Sequence, residues 1–229
     1  RDLVRSRGLG DVYKRQCTYV LGGAKVEDKL PVIENILKSG KVDNVIVGGL
    51  IAKIFLKAMG HELGRGNEEE LRGLLAYVER ARIILEKYPN RVKVPVDLAT
   101  LKDHKRVETD VRKLNNQESS LDIGTETIKE YAQVIKESKT IVANGPMGVF
   151  EKEGLDIGTK TVLEAVASCK GTTLIGGGHL AGLASLLGVE HKFSHVSTAG
   201  GAMLSMLAGE SLPGVEALVQ SADRYKGQS

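Results

Sequence analysis

Four times in this chain a short apolar or β-branched run stops at a glycine-rich turn and gives way to a helix-like stretch. Cys17–Leu21 runs into Gly22-Gly23, Asn44–Val47 into Gly48-Gly49, Thr140–Ala143 into Asn144-Gly145-Pro146, and Thr172–Ile175 into Gly176-Gly177-Gly178. Continuous apolar runs suit strands buried on both faces, and strands alternating with helices suit parallel pairing through helical crossovers. The pattern predicts an α/β fold, a mainly parallel sheet flanked by helices on both faces. In such sheets ligands gather at the carboxyl ends of the strands, which is where all four turns fall. The densest turn is in TTLIGGGHLAGLASLL, residues 172–187, where Leu180, Leu183, Ala184 and Leu187 recur at helical spacing. Without a Cβ, glycine lets backbone N–H groups approach a ligand, and a helix start adds unpaired donors and positive dipole, so phosphate would be favoured there. The same glycines also suit a tight turn kept for close helix–sheet packing. This stretch alone leaves both readings open.

Composition excludes several classes of function. The 229 residues, 41% hydrophobic and 27% charged, suffice for one large or two small domains. No apolar run approaches the roughly 18 residues of a membrane span, and no signal-type apolar segment opens the chain. A cytoplasmic protein without membrane contact is expected. The net charge of +3 is local: the first sixteen residues hold five basic and two acidic side chains, and the remaining 213 carry 27 of each sign. With three Phe, six Tyr and no Trp, the chain offers neither charge nor stacking surface for nucleic acid. Cys17 and Cys169, far apart in apolar settings, read as buried thiols in a reducing compartment. Residues 1–16, RDLVRSRGLGDVYKRQ, lack periodicity and are expected to be foreign to a domain spanning 17–229, with a polar tail from about 220.

Between the glycine turns, periodicity predicts helices at Glu27–Ser39, after Gly49 (Ile51, Ile54, Phe55, Ala58), Glu68–Tyr88, Thr125–Glu137, Ile157–Cys169 and Met203–Leu207. Arg91–Ala99 is expected as a strand, the polar stretch up to Ser120 as a loop with short strands, and Phe193–Val196 as another short strand. No GxxxxGK[ST] phosphate loop is present. Leu21-Gly22-Gly23-Ala24-Lys25 places a lysine where a GxGxxG dinucleotide fingerprint has none, which argues against a dinucleotide-binding oxidoreductase. Lys25 and Lys29, four apart, would project from one helical face toward the strand ends. There they could meet the charge of a transferring phosphoryl group; as surface lysines they would simply balance Glu27 and Asp28.

Four segments carry a family resemblance in order and spacing: LGGAKVEDK at 21–29, IVANGPMGVFE at 141–151, IGGGH at 175–179 and FSHVSTAGGAMLSMLAGESLPGVEAL at 193–218. Together they resemble the nucleotide-binding, C-terminal half of the phosphoglycerate kinase family, from about Tyr19 to Leu218. The resemblance implies a Rossmann-like domain and reversible phosphoryl transfer between ATP and 3-phosphoglycerate, giving ADP and 1,3-bisphosphoglycerate. It implies catalytic roles for Lys25, for the migrating phosphoryl group, and for Gly178 and Gly201 at two helix starts. It implies nucleotide contacts from Gly23, Ala24, Lys29, Gly48, Gly49, Leu121, Asn144, Pro146, Glu151, Gly176, Gly177, Gly178 and His179. Among these Lys29 would serve the nucleotide phosphates, Leu121 would wall the adenine, and Glu151 would take the ribose hydroxyls.

The departures from the family pattern are equally specific. His179 and Leu180 stand where the common pattern has Asp and Thr or Ser, and histidine there resembles archaeal-type members. Magnesium prefers hard oxygen ligands, so no protein metal ligand is expected; Mg²⁺ would be held through nucleotide phosphates and water, with His179 in place of the usual Asp. The family has two domains, and the half that grips 3-phosphoglycerate has no counterpart here. The expectation is a fragment that binds Mg·ATP or Mg·ADP and is nearly inactive alone, its hinge side at Ser194–Thr198 and Pro213-Gly214. A non-catalytic nucleotide-binding module is the rival reading; retention of both Lys25 and Lys29 speaks against it. Oligomeric state is not legible.

Overall fold

The computed structural model describes residues 17–207. The expectations for residues 1–16, for Pro213-Gly214 and for the polar tail lie outside the described residues. The strands are β1 (Cys17–Leu21), β2 (Asn44–Val47), β3 (Val92–Lys93), β4 (Asp97–Lys102), β5 (Lys105–Asp110), β6 (Asp122–Ile123), β7 (Thr140–Asn144), β8 (Thr172–Gly176) and β9 (His195–Ser197). The helices are α1 (Val26–Lys38), α2 (Gly49–Ala58), α3 (Arg65–Glu70), α4 (Leu75–Lys87), α5 (Thr125–Lys136), α6 (Ile157–Ala167), α7 (Gly178–Leu186) and α8 (Gly200–Leu207). Among the described residues, no helix is long and apolar enough to cross a membrane.

Six strands form one parallel sheet in the order β3-β2-β1-β7-β8-β9. In register, Leu21 of β1 stands between Val47 of β2 and Asn144 of β7. From β1 the chain first builds outward through β2 and β3, then returns and builds the other way through β7, β8 and β9. Strand order therefore reverses between β1 and β7. At such a switch point the connections diverge and leave a crevice beyond the carboxyl ends of the strands. Helices cover both faces, α1 packing with α2, α4 and α8, and α6 packing with α5 and α7. Leu21, Leu30, Ile33, Ile46, Ile51, Ile54 and Phe55 are fully buried between the layers. Each such side chain contributes about 1.5–3 kcal/mol of burial. The two cysteines are free and half-buried.

Two expectations about the elements are corrected. The helix expected over Glu68–Tyr88 is two helices, α3 and α4, because Gly73 takes a left-handed φ of 81° that ends one helical run before the next begins. The strand expected over Arg91–Ala99 is divided at Val94-Pro95-Val96: β3 joins the large sheet and β4 a second one. Pro95 has no N–H for a ladder, which suits a chain leaving one sheet for another. The stretch up to Ser120, expected as a loop with short strands, holds β5, which pairs with β4; with β6 they make a three-stranded antiparallel sheet in the order β5-β4-β6. Asp97 ties this sheet to α5, its carboxylate accepting from the N–H groups of Glu126 (3.1 Å) and Thr127 (2.8 Å).

Candidate functional site

A cavity of about 450 Å³ opens at the switch point. One side is formed by the turns after three parallel strands: Gly23 and Ala24 after β1, Gly49 and Leu50 after β2, and Pro146 to Val149 after β7. The other side comes from the small sheet, with Leu98 of β4 and Ser120, Leu121 and Asp122 at the entry to β6. The segment Pro146–Val149 is fastened to both. The N–H of Gly49 donates to the Met147 carbonyl (2.7 Å), and the N–H of Val149 donates to the Leu121 carbonyl (2.7 Å). Gly49 has a φ of 58°, and a Cβ there would stand 2.8 Å from the Gly23 backbone N and O, so only glycine closes this joint without strain.

Of the residues singled out in the sequence, Gly23, Ala24, Gly49, Leu121, Pro146, Glu151 and His179 line this cavity together. Gly48 is buried beneath Met147, whose Sδ lies 2.7 Å from where a Cβ would be. Asn144, Gly176 and Gly177 form a neighbouring cluster outside the cavity lining. Asn144 Nδ2 donates to the Gly176 carbonyl (3.0 Å), and the Gly177 N–H donates to the Ser197 carbonyl (2.9 Å). The two readings of the glycines divide here. At Gly200 a Cβ would meet Gly177 Cα at 2.6 Å, so close packing explains that glycine. At Gly178 and Gly201, both exposed at the starts of α7 and α8, a Cβ would have nothing within 4 Å. Their neighbourhood is open space beyond two helix N-termini.

The two lysines do not share a helical face. Lys25 precedes the first helical residue, Val26, as the N-cap of α1 and is exposed; Lys29, one turn inside, is buried. The Lys29 ammonium donates to the Gly22 carbonyl and to the Asn144 carbonyl (3.2 Å). It thus joins the ends of β1 and β7 at the switch point rather than lining the cavity. Burial pulls its pKa down to about 8, with Asp28 opposing the shift and Lys25 adding to it.

The structure adds polar groups that the sequence pattern does not single out. Lys53 and Glu70 line the cavity beside Ser120. The signal for Lys53 is its place as the one charge inside the apolar run LIAKIFL of α2. Asp122 is buried, with one carboxylate oxygen accepting from Arg106 (2.9 Å) and from the Gly158 N–H (2.8 Å); Oδ1 has no partner. Burial pushes the Asp122 pKa up. Arg106 also reaches Glu108 (2.7 Å) and the carbonyls of Ile123 and Gly154 (2.7 Å each), clasping the small sheet to the loop after β7.

Among the described residues, no group of three or more His, Cys, Asp or Glu is placed to hold a metal ion. At the rim the donor set is the His179 imidazole, set edge-on to Phe150 at 5.7 Å between ring centroids, and the Glu151 carboxylate. That set fits a divalent cation only if most of its oxygen ligands arrive with a bound phosphate.

Comparison with known proteins agrees with this geometry. A sequence model of the phosphoglycerate kinase family matches residues 6–210. The phosphoglycerate kinase of Methanobacterium bryantii is 44% identical over 222 residues, covering 96% of this chain and 54% of that protein. That of Methanothermobacter thermautotrophicus is 44% identical over 223 residues, with the same coverage. Among solved structures, phosphoglycerate kinase from Pyrococcus horikoshii superposes with a TM-score of 0.85 at 40% identity, covering 95% of this chain and 56% of that one. The enzyme from Coxiella burnetii gives 0.75 at 35% identity, covering 89% and 53%. The chain thus spans about half the length of the relatives it matches, and across that span it belongs to the phosphoglycerate kinase family.

Proposed function

We propose that residues 17–229 are the nucleotide-binding half of a phosphoglycerate kinase, which holds Mg·ATP or Mg·ADP and needs a second, acceptor-binding half for turnover. The observation that carries this is the gathering of Gly23, Ala24, Gly49, Leu121, Pro146, Glu151 and His179 around one cavity at the switch point. These are seven of the residues at which the family resemblance puts the nucleotide. Leu98, Leu121 and the Gly49 backbone offer flat apolar surface to a base. Glu151, an acceptor with two oxygens, suits paired ribose hydroxyls. The phosphates then run toward Lys25 and the starts of α7 and α8, where backbone N–H groups and helix dipoles favour anions.

The reaction is reversible transfer of the γ-phosphoryl group of ATP to the carboxylate of 3-phosphoglycerate. Charge spreads over the phosphoryl oxygens in the transition state, and fixed donors that meet it lower the barrier. Lys25 and the N–H groups at Gly178 and Gly201 supply those donors. Lys29 serves the nucleotide phosphates by exchanging the Gly22 and Asn144 carbonyls for phosphate oxygens, and His179 donates to a phosphate at the rim. Mg²⁺, bound through the nucleotide, neutralises phosphate charge. 3-Phosphoglycerate is held by the other half, and closure of the two halves excludes water and aligns donor with acceptor.

Calorimetric titration of Mg·ADP into the 229-residue chain tests this reading. Saturable binding is expected, weakened about tenfold by Lys25→Ala, the loss of one charge-assisted hydrogen bond. Lys25 is the informative position because it is exposed, whereas Lys29 also holds the fold. Absence of binding by a chain that circular dichroism shows folded would sink the assignment, and robust kinase turnover by this chain alone would overturn the need for a second half.

A further inference from the structure

Lys53 lies in the most apolar part of α2, between the fully buried Ile51, Ala52, Ile54 and Phe55, and is itself 4% exposed. An ammonium so placed must be well paired to stay charged. Its Nζ donates to Glu70 Oε2 (2.5 Å) and to Ser119 Oγ (2.8 Å), and Ser119 donates in turn to Glu70 Oε1. Asn67, wholly buried, fastens α3, which carries Glu70, to the segment entering β6: its side chain accepts from the Ser120 N–H (2.8 Å) and donates to the Leu63 carbonyl (2.7 Å).

The cluster keeps capacity of both kinds. Two of three ammonium protons are engaged, which leaves one N–H. The carboxylate offers about four lone-pair sites, of which Lys53 and Ser119 take two. Glu70 is partly exposed, and it lines the cavity together with Lys53 and Ser120. A donor thus stands beside an acceptor on the cavity wall. A side-chain amide presents the same pair when it binds adenine in two places, accepting from the 6-amino group and donating to the ring nitrogen next to it.

Strand order says which end of a nucleotide would meet this pair. Lys53 belongs to the helix after β2 and His179 to the helix after β8, with β1 and β7 between them. At about 4.8 Å per strand, these flanks are roughly 14 Å apart. The anion-favouring helix starts of α7 and α8 are at the β8 flank, so the base lies at the β2 flank.

We propose that Lys53 and Glu70 hold the adenine by its edge, Glu70 accepting from the 6-amino group and Lys53 donating to the neighbouring ring nitrogen. The inference rests on the nucleotide reading of the cavity and deepens it, since neither residue belongs to the glycine turns or to the apolar walls that enclose the base. Ser119 holds the two charged groups in register.

The test compares Mg·ADP with the Mg complex of purine riboside 5′-diphosphate, which lacks only the amino group, by titration into the 229-residue chain and its Lys53→Met/Glu70→Leu variant. The double change removes both charges and leaves neither buried alone. In the unmodified chain ADP is expected to bind about tenfold more tightly, the yield of one hydrogen bond to a charged acceptor. In the variant ADP should weaken at least tenfold and the two nucleotides should bind within about twofold of each other. Equal affinities in the unmodified chain, or an unchanged ratio in the variant, overturn the inference and leave the nucleotide site standing. No binding of either nucleotide by the folded chain overturns both. Should the double variant fail to fold, Glu70→Gln decides: a neutral acceptor gives about half the effect of a charged one, so the ratio should fall to about threefold, and a ratio still near tenfold refutes the proposal.

Discussion

The Gly23, Gly49 and Pro146 side of the cavity and the Leu98, Leu121 and Asp122 side enclose the same volume, but different forces hold them. The first is backbone, continuous with the ladder of the parallel sheet: the N–H of Leu50 donates to Gly23 (3.1 Å) and that of Gly22 to Asn144 (3.0 Å). Its shape depends little on which side chains the turns carry, provided that none intrudes. The second side is made of side chains on a small antiparallel sheet, and one guanidinium gathers it. Arg106 binds Asp122, Glu108 and the carbonyls of Ile123 and Gly154. A site built this way should fail differently on its two sides, through a lost partner on one and through an added atom on the other.

The largest effect is expected on the side-chain half. Arg106→Met leaves the Asp122 carboxylate, wholly buried, with the Gly158 N–H as its remaining strong partner. Breaking a buried ion pair from one end costs about 3–5 kcal/mol. Denaturant unfolding would measure it, and adding Asp122→Asn should return part of the loss because the uncompensated charge is gone. A loss below about 1 kcal/mol would mean that the small sheet is held by its apolar contacts instead. On the backbone half, Gly49→Ala adds a single methyl at φ 58°, 2.8 Å from the Gly23 backbone. About 2–3 kcal/mol of destabilisation is expected from left-handed strain and the clash together. An effect within about 0.5 kcal/mol would show the joint to be loose and remove the contrast between the sides.

The same contrast explains what is legible in the sequence. The parallel strands are legible because they are buried on both faces: Ile141, Val142 and Ala143 read as an unbroken apolar run. Their glycine turns place the backbone side of the cavity. Short strands are expected before Ser120, but their pairing into a second sheet is hidden because β5, KRVETD, packs against one neighbour, has no buried residue and shows no apolar alternation. The break between α3 and α4 is hidden because the leucines before and after Gly73 continue one another's spacing, and only the left-handed φ reveals it. Counting residues puts Lys25 and Lys29 on one face, although the first lies outside the helix. Lys53 is a legible anomaly, but its partners Glu70 and Ser119 come from segments that no local pattern could bring to it.

The smallest effect is expected at Lys29, a buried titratable group that joins the strand ends behind the backbone side of the cavity. Lys29 has a pKa of about 8 in the free chain, against an ordinary value of 10.5. A bound phosphate favours the ammonium, so the bound-state value must lie above 8, and nucleotide binding then takes up a proton at any pH between the two values. Affinity for Mg·ADP should be nearly flat from about pH 6.5 to 7.5 and fall by about fivefold as pH rises from 8 to 9. Stability has the opposite sign. The unfolded lysine keeps its proton up to 10.5 while the folded one loses it near 8, so between these values the unfolded state binds more protons and the contribution of this group to stability rises with pH. Lys29→Met should flatten the pH dependence of binding. If affinity instead falls identically in both proteins, the titrating group is elsewhere, and Lys29 belongs to the strand ends alone.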